Sequence, residues 1–192
     1  KGVVTMIDGR NVYIQDETGG IDLYLAAAPT DLALGDTVVG TGTRADYRGL
    51  PELNNATYTK ETEETLTLSA KETGISALTA ADVCTYVKLT DVEVTEVYDN
   101  DGKYSNPNIT VKDASGATIQ LYKAVVGKTD GAWDVAVGDT ITVSAAVGIN
   151  NSTLQLRNTL ASEIQVKEDP YKDIAKNLSV YEKTAAIADG DR

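Results

Sequence analysis

The chain is predicted to be all-β, built as two tandem OB-fold-like barrels, each of five strands in Greek-key order. Three observations predict it. The first is an internal echo: Tyr13-Ile14-Gln15-Asp16-Glu17-Thr18-Gly19-Gly20-Ile21-Asp22-Leu23-Tyr24 returns as Thr110-Val111-Lys112-Asp113-Ala114-Ser115-Gly116-Ala117-Thr118-Ile119-Gln120-Leu121-Tyr122, and Leu34-Gly35-Asp36-Thr37-Val38 returns as Val137-Gly138-Asp139-Thr140-Ile141. Asp16 and Asp113 stand 97 positions apart and Gly35 and Gly138 stand 103 apart, so the copies differ mainly by loop insertions. The second is that β-branched and aromatic runs alternate with turn dipeptides in both copies. The third is length: 192 residues suit two small domains better than one large one. The expected division is residues 1–74, 75–169 and a C-terminal segment 170–192.

The elements follow in order. Val3–Ile7 and Asn11–Gln15 flank Asp8-Gly9, a dipeptide favoured in tight hairpins. A turn at Asp16–Gly20 leads into Ile21–Leu25, whose apolar and polar residues alternate as in a half-buried strand. Ala26–Leu34, with Pro29 and Asp31, suits a helical turn or loop. Thr37–Thr43 is β-branched and punctuated by glycine, the mark of a strand that bends. Leu50–Asn54 closes the unit, which makes five strands with an interruption after the third, the layout of an OB-fold. An SH3-like barrel or small sandwich offers no equally natural place for Ala26–Leu34. Residues 58–74, rich in Thr and Glu, form a solvated extension and connector.

In the second copy Ser76–Asp82 suits a single helical turn and Tyr86–Val97 a long first strand. Tyr98–Asn108 is a long loop, followed by strands near Ile109–Lys112 and Ala117–Tyr122. Val125–Val137 holds Trp133 in the interruption, Thr140–Val147 is the bent strand and Thr153–Arg157 the closing one. Tyr171, Ile174, Leu178 and Tyr181 recur at helical spacing, which predicts a short helix or linker over 170–192.

Composition narrows the chemistry. Residues 1–75 hold 6 basic and 12 acidic side chains, residues 76–169 hold 7 and 13, and the whole chain carries −12. Such a field opposes the counterion release that drives most nucleic-acid binding, so any such role needs a local patch. Histidine and phenylalanine are absent. That removes the imidazole general base and histidine-ligated metals, and leaves carboxylates, Lys, Tyr, Ser, Thr and Cys84 as possible actors. No cofactor or metal is expected. With a single cysteine no intrachain disulfide can form. No apolar run approaches the roughly 20 residues of a membrane-spanning helix, so no membrane insertion is expected. The strand-like opening at Lys1-Gly2-Val3-Val4 and the ending at Ala188-Asp189-Gly190-Asp191-Arg192 read as the edges of a piece of a longer protein.

Gly2-Val3-Val4-Thr5, Val12–Ile21, Leu34–Val38 and Gly40-Thr41-Gly42-Thr43 resemble the OB-fold domains of secreted bacterial multidomain proteins. The resemblance covers most of residues 1–57 and, more weakly, 86–166. In that family such domains accompany extracellular nuclease, phosphatase or nucleotidase domains and are described as nucleic-acid-binding-like. It implies an extracellular or cell-surface location and partners among neighbouring domains of the same polypeptide, with single-stranded nucleic acid or glycan as ligand. The matched residues are mostly turn formers and strand cores, so they speak for fold more than for ligand.

OB-folds bind through strands two and three and the loops joining strands one to two and four to five. On that frame the first barrel presents Arg10, Tyr13, Tyr24, Arg44, Tyr47 and Arg48, and the second Lys103, Tyr104, Lys112, Tyr122, Lys123 and Trp133. Tyr47-Arg48 joins a ring to a guanidinium at a loop tip, a pairing suited to stacking on a base or sugar. Its ordinary reading is a plain hairpin loop. Asp99-Asn100-Asp101-Gly102 invites comparison with a calcium loop, yet with Gly102 at the sixth position Val97 and Asn108 fall where essential ligands belong, which favours a polar turn. Cys84 lies among apolar residues and is expected in the core. No carboxylate pair stands out by spacing, so the expected function is a noncatalytic binding or spacer module.

Overall fold

The computed structural model describes residues 1–168. Strands β1 (Gly2–Asp8), β2 (Asn11–Asp16), β3 (Gly19–Leu25), β4 (Thr37–Tyr47) and β5 (Leu50–Glu61) close into a barrel in the order β1-β2-β3-β5-β4. β4 returns to β1, and β5 runs parallel to β3. β6 (Lys71–Glu72), β7 (Tyr86–Tyr98), β8 (Asn108–Lys112) and β9 (Thr118–Leu121) follow. After a small hairpin of β10 (Lys128–Thr129) and β11 (Ala132–Trp133) come β12 (Thr140–Asn150), β13 (Thr153–Arg157) and β14 (Ile164–Val166). Pairing of β12 with β7 closes β7-β8-β9-β13-β12 into a second ring, again with the last strand parallel to the third. β6 and β14 extend the outside of that ring, so the chain from Lys71 already belongs to the second sheet.

The turn echoes explain why both rings share one pairing order. Asp16 Oδ1 accepts from the N–H and hydroxyl of Thr18, and Asp113 Oδ1 accepts from those of Ser115. These bonds hold both carboxyls below the usual carboxylate range and fix the turn between the second and third strands. At the entrance to the bent strand, Gly35 and Gly138 adopt φ of 88° and 91°, a region that glycine enters without strain. Asp36 Oδ2 then accepts from Ala33 N–H at 2.7 Å, and Asp139 Oδ2 from Ala136 N–H at 2.8 Å. The backbone of each Gly-Asp pair brackets one valine of the first strand, Val4 in one ring and Val94 in the other.

Between these fixed points the interruptions differ: Ala26–Leu34 forms bends and a turn without a helix, whereas Val125–Val137 carries the β10–β11 hairpin. Ahead of the second ring, the expected helical turn at Ser76–Asp82 resolves into 3₁₀ turns at Ile75–Ala77 and Ala80–Asp82, the second capped by Thr79. The helix expected over 170–192 lies outside the described residues.

Alternation along the strands sorts side chains into two cores. Val4, Val12, Ile14, Leu23, Leu25, Val38 and Ala56 fill the first barrel. The larger core of the second ring, with Leu89, Val94, Ile109, Val111, Leu121, Ile141 and Leu156, also takes in Met6, Tyr13 and Leu50 from the first barrel. The rings therefore share buried apolar surface. Gly20 permits the approach, because a Cβ there would stand 2.6 Å from the carbonyl carbon of Cys84. Hydrogen bonds cross the joint from Thr5 Oγ1 to Cys84 O (2.9 Å), from Ile7 N to Thr159 Oγ1 (3.0 Å) and from Tyr86 N to Gln15 Oε1 (2.6 Å). Cys84 is fully buried there, and burial pushes its thiol well above the ordinary range.

Candidate functional site

Period-2 alternation puts Tyr13, Gln15, Asp22, Tyr24 and Glu52 on the outside of β2, β3 and β5, the face expected to bind. The second ring covers much of that face. Tyr13 is 2% exposed, and its burial pushes the phenol well above its ordinary range. Tyr13 is thus corrected from a stacking residue to a joint residue, because the apolar core of the second ring extends over it. Tyr24 remains half-buried at the edge, its ring under the Arg10 guanidinium at 4.3 Å, with Arg10 Nε bonded to Leu25 O. Arg44 is exposed on β4. Tyr47 is exposed beside Arg48, but the Arg48 carbonyl accepts from Asn151 N–H at 3.1 Å and Gly49 abuts Ile149. That loop tip is therefore docked on the β12–β13 turn. The structure does not gather the six residues of the first barrel into one site.

The second ring keeps its corresponding face open. Thr110, Lys112, Gln120, Tyr122, Gln155 and Arg157 are only half-buried along β8, β9 and β13. At its end the loop joining β7 to β8 folds over Tyr122 and bounds a cleft of 450 Å³, lined by Lys103, Tyr104, Asn106, Asn108, Tyr122 and Lys123 among others. Four sequence-predicted residues thus come together here. The loop is held in place from both sides: Asn108 Oδ1 accepts from Lys123 N–H at 2.9 Å, and Tyr104 packs edge-on against Tyr98 at 5.9 Å.

Tyr122 lies within reach of two cations, Lys123 at 5.4 Å and Arg157 at 5.2 Å from the ring centre. Each contact draws on the negative face of the ring. Arg157 also pairs with Asp8, which lines the cleft from the first barrel. An aromatic cleft with two lysines, Lys103 and Lys123, and one carboxylate engaged by Arg157 therefore stands on an acidic protein. Its size falls in the range of small-molecule sites. Asp8 is the one carboxylate in its lining among the described residues. Among the described residues no group of three or more Cys, Asp or Glu is placed to hold a metal ion.

Two predicted residues lie apart from the cleft. Lys112 pairs with Glu93 at 2.8 Å. Trp133 is capped by Lys128 at 3.8 Å, while its indole N–H donates to Asp99 Oδ2 at 3.1 Å. Asp99 also accepts from Gly102 N–H at 3.0 Å, consistent with a polar turn. Sequence reasoning missed Asp8, Asn106, Asn108 and Arg157. Arg157 had a signal: a 1-2-3-5-4 strand order lays the fifth strand beside the third, and the Leu156–Leu121 register brings Arg157 next to Tyr122. Asp8 had none, since its role depends on how the rings dock.

No protein-family model matches the chain, and the search of curated proteins returned no match. A solved structure described as "Structural mimicry for functional antagonism" aligns over 88% of this chain and 92% of its own, at 14% identity and a TM-score of 0.35. So distant a likeness carries no argument about fold or function.

Proposed function

We propose that this chain is a noncatalytic binding module of an exported bacterial multidomain protein, and that its ligand seat is the Tyr122 cleft. The observation that carries the reading is the convergence of Tyr104, Tyr122, Lys103 and Lys123 around one 450 Å³ cavity. Tyrosine faces stack on sugar or base rings, the amides of Asn106 and Asn108 suit hydroxyls, and the lysines suit an anionic substituent. A cavity of this size takes a short saccharide or a single nucleotide. An extended nucleic acid would need a basic groove along its backbone, and the net charge of −12 opposes it. The resemblance to OB-fold domains of secreted bacterial proteins supports the setting, with neighbouring domains of the same polypeptide as partners.

The test is calorimetric titration of the chain with a glycan panel, mononucleotides and oligonucleotides at two salt concentrations. Binding that Tyr122→Ala and Lys123→Ala each weaken tenfold or more, and that Tyr47→Ala leaves unchanged, is the expected result. Submicromolar oligonucleotide binding lost in Tyr47→Ala and Arg48→Ala would move the seat to the first barrel. No binding in any class would make the chain a spacer that positions its neighbours.

A further inference from the structure

Among the described residues, the fully buried side-chain polar atoms left without a hydrogen-bond partner are the two carboxyl oxygens of Asp22. Glu163, 8% exposed, accepts from the N–H groups of Thr159 and Leu160 at 2.6 Å each and from the Tyr86 hydroxyl at 2.7 Å. Asn158 is bonded through both ends of its amide. Asp22 differs: it is 0% exposed, and neither carboxyl oxygen makes a well-formed hydrogen bond among the described residues, the Val12 amide being near enough only to favour its charge.

Its place is the joint between the rings. Across β2 it is registered with Tyr13 and across β5 with Glu52, which is itself 7% exposed. From the second ring Arg157 acts on it while already committed to Asp8, and Asp22 in turn acts on the Cys84 thiol. An ionised carboxylate without a well-formed hydrogen bond is disfavoured in such a place, whereas a neutral acid is tolerated.

We propose that Asp22 is a proton-governed latch for the joint: with Asp22 neutral the second ring seats on the outer face of the first, and ionisation of Asp22 loosens that seat. Burial pushes the carboxyl from 3.8 up to about 7; the Val12 amide opposes, the Glu52 carboxylate adds, and Arg157 opposes. A separated, hydrated Asp22 titrates near the ordinary value of about 3.9. Between about pH 4 and 7 the seated state therefore holds a proton that the separated state has released. The seating constant falls up to tenfold per pH unit across that window, on the order of a thousandfold in all, and is flat above it.

Hydrogen exchange on the full chain reads this directly. Ile7, Tyr86 and Asn151 donate across the joint, whereas Leu23 and Val111 report from the barrel interiors. After correction for intrinsic rates, protection of the joint amides relative to the interior ones is expected to fall from pH 5 to 7 and then level off. In Asp22→Asn the ratio is expected to stay flat. In Glu52→Gln the fall is expected to end at a lower pH, because a neighbouring negative charge is gone. A pH-independent ratio in the wild type, the same fall in Asp22→Asn, or an unmoved endpoint in Glu52→Gln would overturn the latch. The last variant decides the matter should Asp22→Asn fail to fold.

Discussion

The two rings share a strand order and differ in what their outer faces meet. In the first, the registered trio across strands two, three and five is Tyr13, Asp22 and Glu52; in the second it is Thr110, Gln120 and Gln155. The first trio is buried under the neighbouring ring, and the second is only half-buried. Gly20 stands where Cys84 must approach, whereas the second ring has the exposed Thr118 at the same station. At the edge Tyr24 is covered by Arg10, while Tyr122 borders a cleft with Lys123 and Arg157 beside it. One scaffold thus supplies an internal contact in one place and an open face in another. The choice rests on a handful of outward side chains and leaves the barrel frame unchanged.

That comparison can be broken at graded cost. Tyr13→Ala removes a large, fully buried ring from the joint and should destabilise the chain by about 3–5 kcal/mol in urea denaturation. Thr110→Ala, at the matching station, should stay within about 0.5 kcal/mol. Equal losses at the two stations would show that the faces are not used differently. Gly20→Ala should cost about 1–3 kcal/mol, because its methyl would meet the Cys84 backbone, with deprotection of Ile7 and Tyr86 in hydrogen exchange as the sign that the joint yields first.

Other changes sharpen the shared frame. Asp36→Ala removes the side-chain bond to Ala33 and should cost about 1 kcal/mol, as should Asp139→Ala through Ala136. Similar losses would confirm that the Gly-Asp pairs do the same job in both rings. Burial alone would raise the Asp36 carboxyl, but Lys60 and the Ala33 N–H outweigh it and hold it low. Its contribution is therefore present above the unfolded value and lost as pH falls below about 4. Tyr122→Ala should change stability by no more than about 1 kcal/mol in denaturation, although ligand binding should fall tenfold or more.

What the sequence disclosed and what it withheld divide along the same line. Local chemistry was readable: Asp16 and Asp113 close turns on Thr18 and Ser115, and the Gly-Asp pairs set the entrances to the bent strands. Such features act over three or four residues, so adjacent letters encode them. Lys103, Tyr104, Tyr122 and Lys123 were readable as a set because the echo assigned them to corresponding strands and loops. Tyr13 was readable as outward-facing, but its cover comes from the core of the second ring, with Cys84 and Arg157, far along the chain, among the groups acting on it. Asp8 gains its role through Arg157, at a separation of 149 residues. No local pattern carries a contact of that kind.

The shared core also bears on how the chain can be cut. Met6, Tyr13 and Leu50 of the first barrel are dry only because the second ring lies on them. Severing the chain near Gly74, where the strand pattern invites a domain boundary, would leave a wet apolar patch on one half and its counterpart on the other. Contiguous exposed patches of this kind promote association. The halves expressed alone should aggregate or pair with one another, and should become soluble when mixed. For expression, crystallisation or grafting, the shared core argues for keeping the two rings together.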